Sequence, residues 1–200
     1  MLKVGLTGSI AVGKTFVCGI FRELGCHILD ADQVARDVVR PGTAGLRAIV
    51  EEFGPDVLSP NGELDRKRLG AIVFDNGELR QRLNAIVHPL VRSEQDRWLA
   101  ELESSVPNAI AIVDAALMIE SGGYRRFDKL IVVWCRPEIQ LGRLMKRDGL
   151  TEAEALNRIE AQMPQNEKKS YADILIDTSG TADETRKQVE SAHELLLRLR

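Results

Sequence analysis

Eight residues near the start of the chain, Gly8-Ser9-Ile10-Ala11-Val12-Gly13-Lys14-Thr15, constrain its fold more than any other part. They fit the pattern G-x-x-x-x-G-K-[ST]. An apolar run, Leu2 to Leu6, comes before them, and a segment with helical spacing at Val17, Ile20, Phe21 and Leu24 follows. A strand, loop and helix in this order wrap backbone N–H groups around an anion, because glycine lets the chain turn tightly and the helix start carries partial positive charge. Lys14 is placed to reach terminal phosphates, and the Thr15 hydroxyl to complete a Mg²⁺ shell. Gly8, Ser9, Ala11, Val12, Gly13, Lys14, Thr15 and Phe16 are the candidate nucleotide-binding residues of this stretch.

The rest of the chain supports the same class of fold. Short apolar runs at Leu2 to Leu6, His27 to Leu29, Ala109 to Val113, Leu130 to Cys135 and Ile174 to Ile176 alternate with helical patterns. Such alternation predicts an α/β fold: a five-stranded parallel sheet covered by helices on both faces. Helices are expected at Lys14 to Leu24, Pro137 to Arg147, Thr151 to Met163 and Ala182 to Leu199. Capping boxes start the last two, Thr151 with Glu154 and Thr181 with Glu184. Between the second and third strands lie about eighty residues with no strand pattern, far more than one crossover needs. They divide into helical stretches at Asp32 to Val39, Ala44 to Phe53, Asp65 to Val73, Glu78 to Val87 and Pro89 to Leu102. This insertion is read either as an elongated crossover or as a substrate-binding subdomain.

Strand ends supply the remaining chemistry. The chain lacks the Asn-Lys-x-Asp of a GTPase, and no Glu adjoins Asp114 after the third strand as in many motor ATPases. A kinase, in which a substrate hydroxyl attacks, fits these absences. The second strand delivers Asp30-Ala31-Asp32 at its C-terminal end, which the reading sets beside the phosphate loop. One of these carboxylates suits an N-cap, and the other suits the acceptance of a hydroxyl proton. Asp114 is open to two roles, holding a Mg²⁺-bound water or simply ending a strand. Arg143 and Arg147 share one helix face, as do Arg158 and Gln162, and Gly149 interrupts between them. Cations on a late helix–turn–helix suit either a lid or a solvated basic face. Arg36 and Arg92 are candidates for a pyrophosphate or its attached arm.

Taken in order, further segments carry a family resemblance. After the phosphate loop and Asp30-Ala31-Asp32 come Ala35-Arg36, Pro41-Gly42, Leu83 to Pro89, Leu117 to Glu120, Arg143 to Asp148, Arg158 with Gln162, and Ala172-Asp173 leading to Ile176 through Gly180. The chain resembles the dephospho-coenzyme A kinases over almost its whole length. The resemblance implies a P-loop kinase, a transferase moving the ATP γ-phosphate to the ribose 3'-hydroxyl of dephospho-coenzyme A, the last step of coenzyme A synthesis. It makes Asp32 the general base, Lys14 the phosphate-loop lysine and Arg147 the lid arginine. It assigns Arg143, Thr178 and Gly180 to the nucleotide side, and Arg36, His88, Arg92, Leu117, Glu120, Arg158 and Gln162 to the acceptor side. It also divides the chain into a core at 1–31, 109–136 and 172–200, a helical substrate-binding subdomain at 32–108 and a lid at 137–171. The chain departs from the family at Ala11, where glycine is usual, at Phe16, at Ala116 before Leu117, and at Thr178. Two broader readings remain beside this one: a kinase for another nucleoside or nucleotide, and an ATP-binding regulatory module.

Composition narrows the partners. The 200 residues carry 27 basic and 30 acidic side chains, a net charge of −3, which does not suit a dedicated nucleic-acid binder. Three widely spaced cysteines without a CxxC point to free thiols in a reducing cytosol. The apolar runs are too short to span a bilayer and no signal-peptide pattern opens the chain. The expectation is therefore a cytoplasmic enzyme using ATP and Mg²⁺, with a small-molecule acceptor, no nucleic-acid or membrane partner, and a monomer with at most weak self-association.

Overall fold

The computed structural model describes residues 1–74 and 76–200. Its centre is a sheet of five strands: β1 (Leu2–Thr7), β2 (His27–Asp30), β3 (Ile110–Asp114), β4 (Lys129–Trp134) and β5 (Ile174–Asp177). All neighbours pair in parallel, in the order β2-β3-β1-β4-β5. The strands are continuous apolar runs because both faces are covered. Val4, Leu6, Ile112 and Ile131 are fully buried. Helix α1 (Lys14–Glu23) buries Val17, Ile20 and Phe21, and α9 (Ala182–Leu199) buries Val189 and Leu196 in the same core.

β2 does not lie next to β1, because β3 sits between them, with Asp114 level with Leu6 on one side and Asp30 on the other. The carboxylate carried by the strand neighbouring β1 is therefore Asp114. The helical periods alone could not reveal this, since a long crossover from β2 reaches any position in the sheet.

The chain divides into two compact units, Met1–Asp30 with Glu101–Arg200, and Ala31–Ala100. The first holds the sheet, α1, α6 (Pro137–Asp148), α7 (Glu152–Glu160), α8 (Gln165–Lys169) and α9. The expected single helix from Thr151 to Met163 is thus shorter and is followed by a separate short one. Both capping boxes form: Thr151 with Glu154, and Thr181 with Glu184. The second unit contains α2 (Ala31–Asp37), α3 (Ala44–Phe53) and α4 (Arg66–Phe74) around Val39, Ile49, Val57 and Leu69.

The remaining helix, α5 (Gly77–Ser105), runs without a break through Pro89. Two helices meeting at His88-Pro89 are the sequence expectation, so His88 lies inside a helix and not at its boundary. Proline removes one backbone donor and strains the turn before it, yet partly buried Leu83, Ile86 and Val87 pack on the second unit's core and hold that turn. The Ala85 carbonyl, which an N–H at position 89 would normally satisfy, is left without its helical donor.

The α9 cap tests how far local chemistry holds the core together. Thr181→Ala removes the side-chain acceptor for the Glu184 N–H, and unfolding by urea should show a loss of about 1 kcal/mol. Thr181→Ser should retain most of that stability.

Candidate functional site

The phosphate loop links β1 to α1 and is shaped by two close approaches. A Cβ at Gly8 would run into the Val133 carbonyl oxygen and lie 2.9 Å from Val12 Cγ2. Gly13 caps α1 at φ 93°, a left-handed backbone that needs no Cβ. No side chain caps α1, and its first turn holds no acidic residue, so its N-terminal N–H groups face the loop without a competing anion. Thr15 and Phe16 at that end are exposed. Ala11, where the resemblance leads one to expect glycine, adopts φ 59° and is the one non-glycine residue with positive φ among those described.

Lys14 leads from this loop to β3. Its Nζ lies 3.5 Å from Asp114 Oδ1, and both side chains are about five-sixths buried, at 16% and 15% exposure. Cys18 Sγ donates to Asp114 Oδ2 at 3.6 Å. Asp114 Oδ1 is buried without a hydrogen-bond partner, the Lys14 contact being an ion pair longer than a good hydrogen bond. Burial pushes the Asp114 carboxyl above the ordinary carboxylate range; nearby Asp30 adds to this, while Lys14 and Cys18 oppose it. An acceptor left open beside a lysine and a phosphate loop is suited to a metal-bound water.

Three other groups grip the loop or the strand exits. Arg143 donates to Thr178 Oγ1 at 2.9 Å and to the Thr178 carbonyl at 2.7 Å, and Thr178 Oγ1 donates to the Val12 carbonyl at 2.6 Å. The structure thus brings together Arg143, Thr178 and the loop, with Gly180 two residues on. Gln162 accepts the Ile10 N–H at 2.8 Å, so this residue of the expected acceptor side contacts the loop backbone. Glu120 pairs with Lys168 at 2.8 Å and accepts the Met163 N–H at 3.3 Å, while Leu117 is exposed. Lys168, 1% exposed, also donates to the Ala116 carbonyl at 2.9 Å. Sequence reasoning missed Lys168 because a lysine in a polar helix reads as a solvent residue.

The lid cations separate. Arg147 and Arg143 share a helix but go to different partners: Arg147 makes a two-pronged bond to Asp148, at 2.7 and 3.1 Å. Arg158 donates to the same carboxylate at 2.9 Å. Hydrogen bonding from Arg147, with the charge of Arg158, holds the Asp148 carboxyl below the usual range. Asp148 closes the Arg143 to Asp148 segment, but its pairing with both arginines has no periodic signal in the sequence.

The helical unit collects the other candidates. Asp32 is exposed in the first turn of α2, two residues past the end of β2. The Arg36 backbone carbonyl accepts from the Arg66 guanidinium at 3.4 Å. Burial, with the charge of Arg36 nearby, lowers the Arg66 pKa, so two like-charged guanidinium side chains are neighbours there. His88 and Arg92 line one groove of about 610 Å³ along α5, together with Asn84, Pro89 and Asp96. Among the described residues no cluster of His, Cys, Asp or Glu forms a ready metal cage. Nor is any described helix long and apolar enough to cross a membrane.

A parallel sheet with β3 beside β1, a G-x-x-x-x-G-K-T loop and a buried Lys14–Asp114 pair define a P-loop nucleotide-binding fold. The family model described as dephospho-CoA kinase matches residues 2–184. A Geobacillus kaustophilus dephospho-CoA kinase is 50% identical over 190 residues, covering 94% of this chain and 93% of its own. A solved Thermus thermophilus protein superposes with a TM-score of 0.84 at 30% identity, over 98% of this chain and 97% of its own. A Campylobacter jejuni dephospho-CoA kinase does so with a TM-score of 0.73 at 29% identity, over 98% and 97%. The chain belongs to the dephospho-CoA kinase family.

The raised Asp114 pKa has a consequence for stability. The native carboxyl binds its proton more tightly than the unfolded chain does. Its stabilising contribution is therefore full below about pH 4 and declines as pH rises through the raised native value. In ligand-free and metal-free protein, Asp114→Asn should flatten the fall of melting temperature over that interval. An unchanged slope in the variant would show that Asp114 titrates normally.

Proposed function

We propose that this chain transfers the γ-phosphoryl group of ATP to the ribose 3'-hydroxyl of dephospho-coenzyme A, giving coenzyme A and ADP, the final step of coenzyme A synthesis. The observation that carries this reading is the buried Asp114 Oδ1, ion-paired with Lys14 but without a hydrogen bond, at the phosphate loop in a chain of this family. Lys14 binds the β- and γ-phosphates, and the open N-terminus of α1 holds phosphate oxygens with backbone N–H groups. The Thr15 hydroxyl and, through water, Asp114 would hold Mg²⁺. Bound there, Mg²⁺ would supply neutralisation of phosphate charge.

In this reading Asp32 accepts the proton of the 3'-hydroxyl and orients its oxygen in line with the γ-phosphorus. The 137–171 segment acts as a lid. Arg147 leaves Asp148 to meet the transferring group, which costs little because the pair is exposed. Arg36 and Arg66 bind the acceptor's pyrophosphate, and His88 and Arg92 its extended arm, within the 32–108 subdomain. We place the enzyme in the cytoplasm as a monomer, and its free thiols suit a reducing compartment.

The test is direct. The protein is incubated with Mg-ATP and dephospho-coenzyme A, with AMP and adenosine as alternative acceptors, and coenzyme A is measured. Coenzyme A should form, and Asp32→Asn should lower turnover about 10²-fold or more. Faster transfer to AMP or adenosine would move the chain to another kinase specificity. ATP binding with no transfer to any acceptor would make it a regulatory module.

A further inference from the structure

Ile10 sits in the middle of the phosphate loop with both backbone groups held by glutamine side chains. Its N–H donates to Gln162 Oε1 at 2.8 Å, and its carbonyl accepts from Gln140 Nε2 at 2.8 Å. Gln140 is 1% exposed. Its own Oε1 accepts from Gln165 Nε2 at 2.6 Å, and Gln165 Oε1 accepts the Cys135 N–H at 3.1 Å. The relay therefore starts one residue beyond β4 and ends on the loop. Its ends give it one polarity, since the Cys135 N–H only donates and the Ile10 carbonyl only accepts. Each amide in between has one orientation that satisfies its neighbours.

The next residue is Ala11, at φ 59°. An L-residue in this region is strained, and such strain persists only where the surroundings over-determine the backbone. The Ile10 carbonyl belongs to the same peptide unit as the Ala11 nitrogen, so a bond to that oxygen sets the plane from which the Ala11 turn departs. We propose that Gln140, backed by Gln165 and joined by Gln162, is a positioning residue that holds the Ile10–Ala11 peptide in its phosphate-binding shape. It does so in compensation for an alanine at a left-handed position. Gln140 touches neither reacting atoms nor phosphate in this account; it acts through the loop. The loop is thus pre-shaped before nucleotide arrives, which lowers the cost of ordering it on binding.

The inference rests on the loop being the nucleotide site and not on the identity of the acceptor. ATP is titrated calorimetrically into the unsubstituted chain, Gln140→Met, Ala11→Gly, the double variant and Gln162→Ala, with melting temperatures recorded for each. Gln140→Met keeps the buried volume but loses the donor, and should weaken ATP binding about tenfold. In turnover assays the KM for ATP should rise by the same factor, while the KM for dephospho-coenzyme A stays unchanged. With glycine at position 11 the same substitution should cost about threefold or less, because the turn no longer needs holding. Gln162→Ala should act in the same direction as Gln140→Met and more weakly. Normal ATP affinity in a folded Gln140→Met, or an equal loss in both backgrounds, would overturn the proposal. Should Gln140→Met not fold, unchanged ATP affinity in Gln162→Ala would overturn it instead. Failure of the unsubstituted chain to bind ATP would overturn the nucleotide-site reading itself.

Discussion

The ion pair between Lys14 and Asp114 is the contact around which the sheet-bearing unit is arranged. It exists because β3 lies beside β1, which brings the end of one strand level with the loop leaving the other. Two charged groups drawn this far from water are costly unless each is nearly satisfied. Here Asp114 Oδ2 accepts from Cys18, while Oδ1 has the Lys14 ion pair but no hydrogen bond. That incomplete satisfaction leaves Oδ1 able to accept a further hydrogen bond. A fully bonded carboxylate would have nothing left to offer a ligand.

Around this pair, the late helices act as fasteners. Arg143 reaches the loop through Thr178, Gln140 and Gln162 reach it at Ile10, and Lys168 secures the carbonyl at Ala116. These bonds come from residues far apart in the chain, and each satisfies a backbone group that a loop would otherwise expose or bury alone. A phosphate loop needs unpaired N–H groups to bind its ligand, so its shape has to be held from outside. Arg147 and Arg158 differ from these fasteners: they are exposed and share Asp148, a weak surface arrangement that can exchange partners. The same segment thus combines buried and half-buried anchors with exposed cations.

The legible parts of the fold were those with local physical signatures. Five strands appeared as apolar runs, α3 and α9 came out with their ends in place, and both capping boxes announced themselves at fixed spacing. The phosphate loop was legible because its geometry demands particular residues at particular positions. Pro89 misled, since proline ends most helices, and only the packing of Leu83, Ile86 and Val87 reveals that α5 continues. The place of β2 carried no local signal, because strand order depends on where a long crossover returns. Lys168 and Asp148 carried no pattern that periodicity could detect.

By itself, then, the sequence determined the class of fold, the phosphate loop and the family, because these rest on short-range spacing and on an ordered set of motifs. Only the tertiary structure decided which carboxylate stands beside Lys14, that Ala11 takes a left-handed backbone, and that glutamines from α6, from α8 and from just beyond α7 hold the loop. The reason is physical. A hydrogen bond between residues more than a hundred positions apart depends on the stacking of whole strands and helices. No local run of side chains encodes that stacking separately from the packed core.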